Sequence, residues 1–151
     1  MHFTLHLTTA CNMNCSYCYS PPHDGEAMSE DVGRKALQLG ARMTEGGSCG
    51  IIFFGGEPLL HKDLIRRIVG HGRDLERRQS GRFHFKVTTN GLLMDEEFVR
   101  FSVENYLLIA MSFDGIEEAH DLHRRSLNGT PSYDLLRRRL GMLLEVRPYS
   151  S

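Results

Sequence analysis

Three cysteines fall within one short stretch near the start of the chain, Cys11, Cys15 and Cys18 in Ala-Cys-Asn-Met-Asn-Cys-Ser-Tyr-Cys-Tyr. The spacing, C-x3-C-x2-C, gathers an odd number of thiols. A disulfide framework uses cysteines in pairs, and a structural zinc site takes four ligands. Thiolates are also the usual ligands of iron–sulfur cubes, and a cube has four iron corners. Three thiolates from one loop leave one iron without a protein ligand, and an open coordination position lets a metal centre bind a substrate. On a helix these positions would spread along one face over roughly 10 Å. That is too stretched for a compact cube, so an irregular loop wrapped around the metal is expected. Two other readings stay open on the residues alone: a zinc site completed by His23 or Cys49, and cysteines that hold no metal. Cys49 sits in an apolar run and reads as a small core residue.

A loop that does chemistry needs rigid elements to carry it, and the chain supplies strands and helices in alternation. Residues 3–9 alternate apolar and polar, as a half-buried strand does. After the cysteines comes a turn-rich connector, Pro21-Pro22-His23-Asp24-Gly25. Ser29 then caps a helix running to about Met43, with acidic residues in its first turn. Residues 49–54 form a short apolar run ending at glycines, expected as a strand buried on both faces. A second helix is expected over 64–78 with Asp63 as its cap, then a strand over 83–88 stopping at the turn pair Asn90-Gly91. A third helix over 95–104, a fourth strand over 107–113 closing at Asp114-Gly115, and a helix from a Ser132 cap to Val146, with Pro148 beyond it, complete the series. This is an α/β chain of βα units with crossovers of helical length, which parallel strands require. If the units curve as a barrel does, the last strand presents an unpaired edge.

In such sheets ligands gather at the carboxyl ends of the strands. Every unusual cluster of this chain falls there: the cysteines, Gly55-Gly56-Glu57-Pro58, Thr88-Thr89-Asn90-Gly91 and Ser112-Phe113-Asp114-Gly115. Glycines without side chains allow close backbone approach. Composition is ordinary for a globular domain, with 40% hydrophobic and 25% charged residues and net charge −1 over 151 residues. That balance carries no electrostatic footprint for nucleic acid or an anionic membrane, so neither is expected as a partner. No run is long and apolar enough for a membrane span, and the start lacks the plan of a signal peptide. Cysteines in such a chain fit a reducing compartment, the cytoplasm.

Cys11-x3-Cys15-x2-Cys18 with Tyr17 before the last cysteine resembles the cluster motif of the radical S-adenosylmethionine (SAM) enzymes. The resemblance runs in the family's order through Gly55-Gly56-Glu57-Pro58, Asn90-Gly91 and Ser112-Phe113-Asp114-Gly115 to Arg124, over nearly the whole chain. It implies a [4Fe–4S] cluster on Cys11, Cys15 and Cys18, whose unique iron is chelated by the amino and carboxylate groups of SAM. It implies that Gly55, Gly56 and Glu57 hold the methionine ammonium, and that Ser112 helps to hold SAM. Arg124 would pair with the SAM carboxylate, Tyr17 would lie beside the adenine, and Asn90 would face SAM or substrate. His6, His84, His120 and His123 have no motif support and read as packing or surface residues.

The activity implied by the resemblance is reductive cleavage of SAM to a 5′-deoxyadenosyl radical, which takes a hydrogen atom from the substrate. A low-potential donor such as ferredoxin or flavodoxin would feed the cluster. The motif set looks most like the SPASM-type, anaerobic sulfatase-maturase-like branch, whose substrates are peptides or proteins. Other branches, molybdenum-cofactor cyclases and glycyl-radical activases, share parts of it. A full core of this kind resembles a partial (β/α)6 TIM-like barrel, and residues 1–151 correspond to its first four βα units without the cysteine-rich C-terminal domain. A truncated chain is therefore expected, either catalytic or a non-catalytic remnant that binds a cluster or a partner.

Overall fold

The computed structural model describes residues 1–19 and 25–146. In chain order its elements are β1 (His2–Thr8), β2 (Met13–Cys15), α1 (Glu30–Met43), β3 (Ser48–Gly55), a 3-10 turn (Pro58–His61), α2 (Lys62–Arg78), β4 (Arg82–Thr89), α3 (Glu96–Glu104), β5 (Leu107–Met111), α4 (Glu117–His123), β6 (Arg124–Ser126) and α5 (Tyr133–Val146). Strands β1, β3, β4 and β5 lie side by side in that order, all parallel. β5 ends the sheet and pairs along one side only among the described residues. A separate antiparallel ribbon joins β2 to β6, with Cys15 opposite Arg124.

The core lies between the helices and one face of the sheet. Leu5, Leu7, Ile51, Phe53, Phe85, Val87, Leu107 and Ile109 point into it and meet Leu37, Ile65, Ile68, Val69, Phe98 and Val99. Phe53 and Phe85 stack with centroids 6.0 Å apart across β3 and β4. The opposite face is open: His2, Thr4, His6, His84 and Leu108 are exposed, and Ile52, Phe54, Lys86 and Thr88 are half-buried. The expectation that β3 is buried on both faces is therefore corrected. Its inner position in the sheet covers its edges, but the helices cover only one of its faces.

Two helix starts follow the sequence, and two do not. Ser29 accepts the Val32 N–H, as its position predicts, and α3 starts within one residue of its expected place, with Asp95 accepting the Phe98 N–H as its cap. Helix α2 begins at Lys62 after the 3-10 turn, so Asp63 lies within the first turn instead of capping it. Ser132 does precede α5, yet its hydroxyl donates to the Arg124 carbonyl, and Asp121 takes the Ser132 and Tyr133 N–H groups at 2.8 and 2.9 Å. β5 stops at Met111, short of the predicted Phe113, and neither α4 nor the β2–β6 ribbon was foreseen. Residues 20–24 of the connector, with His23 as a possible ligand, and Pro148 lie outside the described residues.

Candidate functional site

At the carboxyl ends of the parallel strands lies a cavity of about 400 Å³. Its lining takes in Cys11, Cys15, Tyr17 and Cys18 from the first loop, Gly55 and Gly56 after β3, Asn90 after β4, and Ser112 and Arg124 after β5. These residues come from four separate connections. Of the predicted site residues, Glu57 is the one that does not line it.

The wall after β3 and β4 is tied down by Glu57. Its side chain is fully buried. One carboxylate oxygen accepts the Leu59 N–H at 2.8 Å and the Thr89 hydroxyl at 2.7 Å, and the other accepts the Asn90 N–H at 2.8 Å. Burial pushes this carboxyl up, while the three donors pull it back. Glu57 thus clamps the end of β4 to the end of β3, and its carboxylate is not presented to the cavity as the motif alone suggested.

The glycines beside Glu57 serve a close approach of backbone to backbone. Gly55 has φ +133°, and a Cβ there would collide with the Thr8 carbonyl, while one on Gly56 would strike the Ala10 and Thr9 carbonyls. The chain instead bonds across: Gly56 N–H to Thr8 at 2.9 Å and Glu57 N–H to Ala10 at 2.8 Å. The turn after β3 is thereby sewn to the start of the cysteine loop. Asn90 closes this wall. Its side-chain N–H group meets Asn12 at 2.8 Å and approaches the Cys11 sulfur at 3.8 Å, while its Oδ1 accepts the Leu92 N–H and shapes the turn.

The wall after β5 is built around Arg124, which is buried yet reaches the cavity. Its Nη1 donates to the Tyr17 hydroxyl at 2.7 Å and lies 3.8 Å from Asp114. The Tyr17 hydroxyl in turn donates to Asp114 at 2.7 Å. Arg124 Nε is buried with no hydrogen-bond partner. Ser112 sits beside this group, its N–H bonded to the Thr89 carbonyl at 2.9 Å.

The cysteine loop is less irregular than expected, because Met13–Cys15 is a strand of the ribbon. Met13 is buried beneath it, and the Ser16 N–H continues the pairing to the His123 carbonyl at 2.9 Å. All three thiols are free. Burial pushes the Cys11 and Cys15 thiols up, opposed at Cys15 by the Arg124 charge. Binding a metal here would release those protons. The Met13 N–H points at the Cys11 sulfur at 3.4 Å, the kind of contact that stabilises a thiolate ligand. Among the described residues no group of three His, Cys, Asp or Glu side chains converges on a single-ion position. Cys49 is buried in the core, away from this loop.

A sequence profile of the radical SAM superfamily matches residues 5–148. The chain belongs to the radical SAM superfamily. It is 26% identical over 141 residues to the cysteine-type anaerobic sulfatase-maturating enzyme of Clostridium perfringens, covering 87% of this chain and 37% of that one. It is 32% identical over 119 residues to the Fe-coproporphyrin III synthase of Methanosarcina barkeri, covering 78% of this chain and 28% of that one. Among solved structures, native anSMEcpe with bound AdoMet and Cp18Cys peptide superimposes with a TM-score of 0.86, at 24% identity over 97% of this chain and 40% of that one. The fold is therefore that of the N-terminal part of such a core, with parallel βα units. The chain spans less than half the length of the curated relatives it matches.

The family implies a [4Fe–4S] cluster and SAM, and the residues present fit both. Three free thiols line the one cavity, the donor type that holds iron–sulfur clusters. Arg124, which lines the same cavity, brings a guanidinium whose planar fork suits an anion. The motifs left some lining residues out. His6, Thr8 and Phe54 also line the cavity, and period-two alternation places His6 and Phe54 on the open face of the sheet. Asp114 stood within a quoted motif, but its bond to Tyr17 is visible only in three dimensions.

Proposed function

We propose that residues 1–151 are the N-terminal portion of a radical SAM core that holds a [4Fe–4S] cluster on Cys11, Cys15 and Cys18 and seats SAM in the adjoining cavity. One observation carries the reading: the three thiols share a single cavity with Gly55, Gly56, Asn90, Ser112 and Arg124. When bound, the cluster and SAM supply one-electron reductive cleavage and hydrogen-atom abstraction. The chain's own residues bind and orient. Arg124, a lining residue whose planar guanidinium matches a carboxylate, takes that group of SAM. Gly55 and Gly56 leave bare backbone at the cavity edge, and Asn90 and Ser112 add polar contacts. Tyr17 lines the mouth and supports Arg124 through its hydroxyl.

The substrate class proposed is a peptide or protein, by similarity to the Clostridium perfringens maturating enzyme. A low-potential donor such as ferredoxin or flavodoxin and a reducing cytoplasm belong to the same reading. Among the described residues no helix is long and apolar enough to cross a membrane. Likeness to the Methanosarcina barkeri synthase favours a second reading, a radical SAM enzyme whose substrate is not a peptide. Anaerobic reconstitution tests the core claim. The expected result is about four irons and four sulfides per chain, with 5′-deoxyadenosine released when SAM and a reductant are added. Iron without that product would make the chain a cluster-binding remnant, and absence of iron would end the reading.

A further inference from the structure

His120 does not line the cavity, yet it is fully buried and both of its ring nitrogens are engaged. Nδ1 faces the Asp114 N–H at 3.3 Å, and Nε2 lies 3.0 Å from Ser132 Oγ. The Ser132 hydroxyl donates to the Arg124 carbonyl at 2.7 Å. A backbone N–H only donates and a carbonyl only accepts. Nδ1 therefore carries no proton, and the single Ser132 proton is spent on Arg124. Ser132 Oγ must accept from Nε2–H, so one neutral tautomer satisfies every contact. The rings of Phe113 and Tyr133, at centroid distances of 5.1 and 5.8 Å, hold the imidazole in that orientation.

The His120 ring holds the Asp114 N–H directly and the Arg124 carbonyl through the Ser132 hydroxyl. The Asp114 and Arg124 side chains meet at the Tyr17 hydroxyl on the cavity wall. Arg124 also opens β6, whose pairing partner across the ribbon is Cys15. An apolar side chain of the same volume would fill the space under α4 but leave the Asp114 N–H and Ser132 without their partner. We infer that His120 is a positioning residue for the carboxylate site: through Asp114 and Ser132 it fixes the backbone from which Arg124 is aimed into the cavity. The inference rests on the reading above that Arg124 receives the SAM carboxylate. It adds a residue outside the cavity on which the affinity of that site depends.

The test measures SAM dissociation constants on the full chain reconstituted without oxygen, with iron content and thermal midpoint taken on the same samples. His120→Ala and Ser132→Ala are each expected to weaken SAM binding by about tenfold while iron stays at the wild-type level. His120→Asn keeps an acceptor near the Nδ1 place and His120→Gln a donor near the Nε2 place, so each should recover part of the loss. In an Arg124→Ala background, His120→Ala should weaken SAM binding little further, because it acts through Arg124. Fully additive losses, or losses that follow the thermal midpoint instead of the hydrogen bonds, would reduce His120 to a packing residue and overturn the inference. Wild-type SAM affinity in the single variants would overturn it as well. If His120→Ala does not fold, Ser132→Ala, which loses one hydroxyl, decides. A wild-type chain that holds iron but binds no SAM removes the carboxylate-site reading and this inference with it. Normal SAM affinity in the variants removes this inference alone.

Discussion

The two walls of the cavity are finished in different ways. On the β3–β4 side the polar groups are already paired within the protein: Glu57 accepts from Leu59, Thr89 and Asn90, and the glycine turn is bonded to Thr8 and Ala10. On the β5–β6 side Arg124 Nε has no partner, and Tyr17 and Cys18 are exposed. The first wall is preorganised by short-range turns and a buried carboxylate. The second offers donors and thiols that a ligand would complete. A site of this kind places rigidity where shape matters and leaves binding capacity where the ligand must supply the last contacts.

The comparison breaks most readily at the cysteines. Cys15→Ala should cost most of the iron taken up on reconstitution, measured per chain against wild type. The unfolding midpoint of the metal-free chain should hardly move, since Cys15 is only half-buried. Unchanged iron content would remove the open wall as a cluster site. The finished wall should respond in the opposite sense. Glu57→Gln replaces an acceptor oxygen by an amide donor facing protein donors, and should destabilise the metal-free chain by about 1–3 kcal/mol in urea unfolding. Iron uptake by the folded fraction should remain. A stability unchanged by Glu57→Gln would mean that the wall is not clamped as described.

Arg124→Lys tests the unfinished wall at a single donor. A lysine keeps the charge but not the planar fork, so SAM affinity should fall by roughly tenfold to a hundredfold with a smaller change in metal-free stability. The smallest effect concerns acid. Burial, then the Arg124 charge, lowers the His120 imidazole below its ordinary value, while Asp114 and Asp121 act the other way. The unfolded chain then binds a proton at higher pH than the folded one. Its contribution to stability is present above about pH 6.5 and is lost as pH falls through the folded value. Unfolding free energies between about pH 7 and about pH 5 should fall more steeply for wild type than for His120→Gln. Parallel curves would show that His120 does not titrate with folding.

Much of this architecture was legible in the chain itself. Period-two alternation marks β1 and β4, and apolar spacing marks the helices, because burial against one layer imposes those periods. The cysteine spacing and the glycine and serine turns are readable because strand ends in parallel sheets collect their chemistry in short connections. The Ser29 cap is a local bond between residues three apart, so sequence suffices for it. The short elements after β5 escaped. α4 spans seven residues, too few for a periodic signal, and β6 exists only because Met13–Cys15 lies beside it.

By itself, the amino-acid sequence determined the order of the four parallel strands and their main helices, the family, and which loops bear thiols, glycines and the arginine. Only the tertiary structure decided what those groups face. It turned the Glu57 carboxylate inward, onto donors that follow it by two residues and by more than thirty. It joined Tyr17 to Arg124 and Asp114, and it gave His120 its two partners. The reason is physical: period and propensity act between near neighbours. The pairing of a buried polar group depends instead on which distant donor arrives beside it when the sheet and its helices close together.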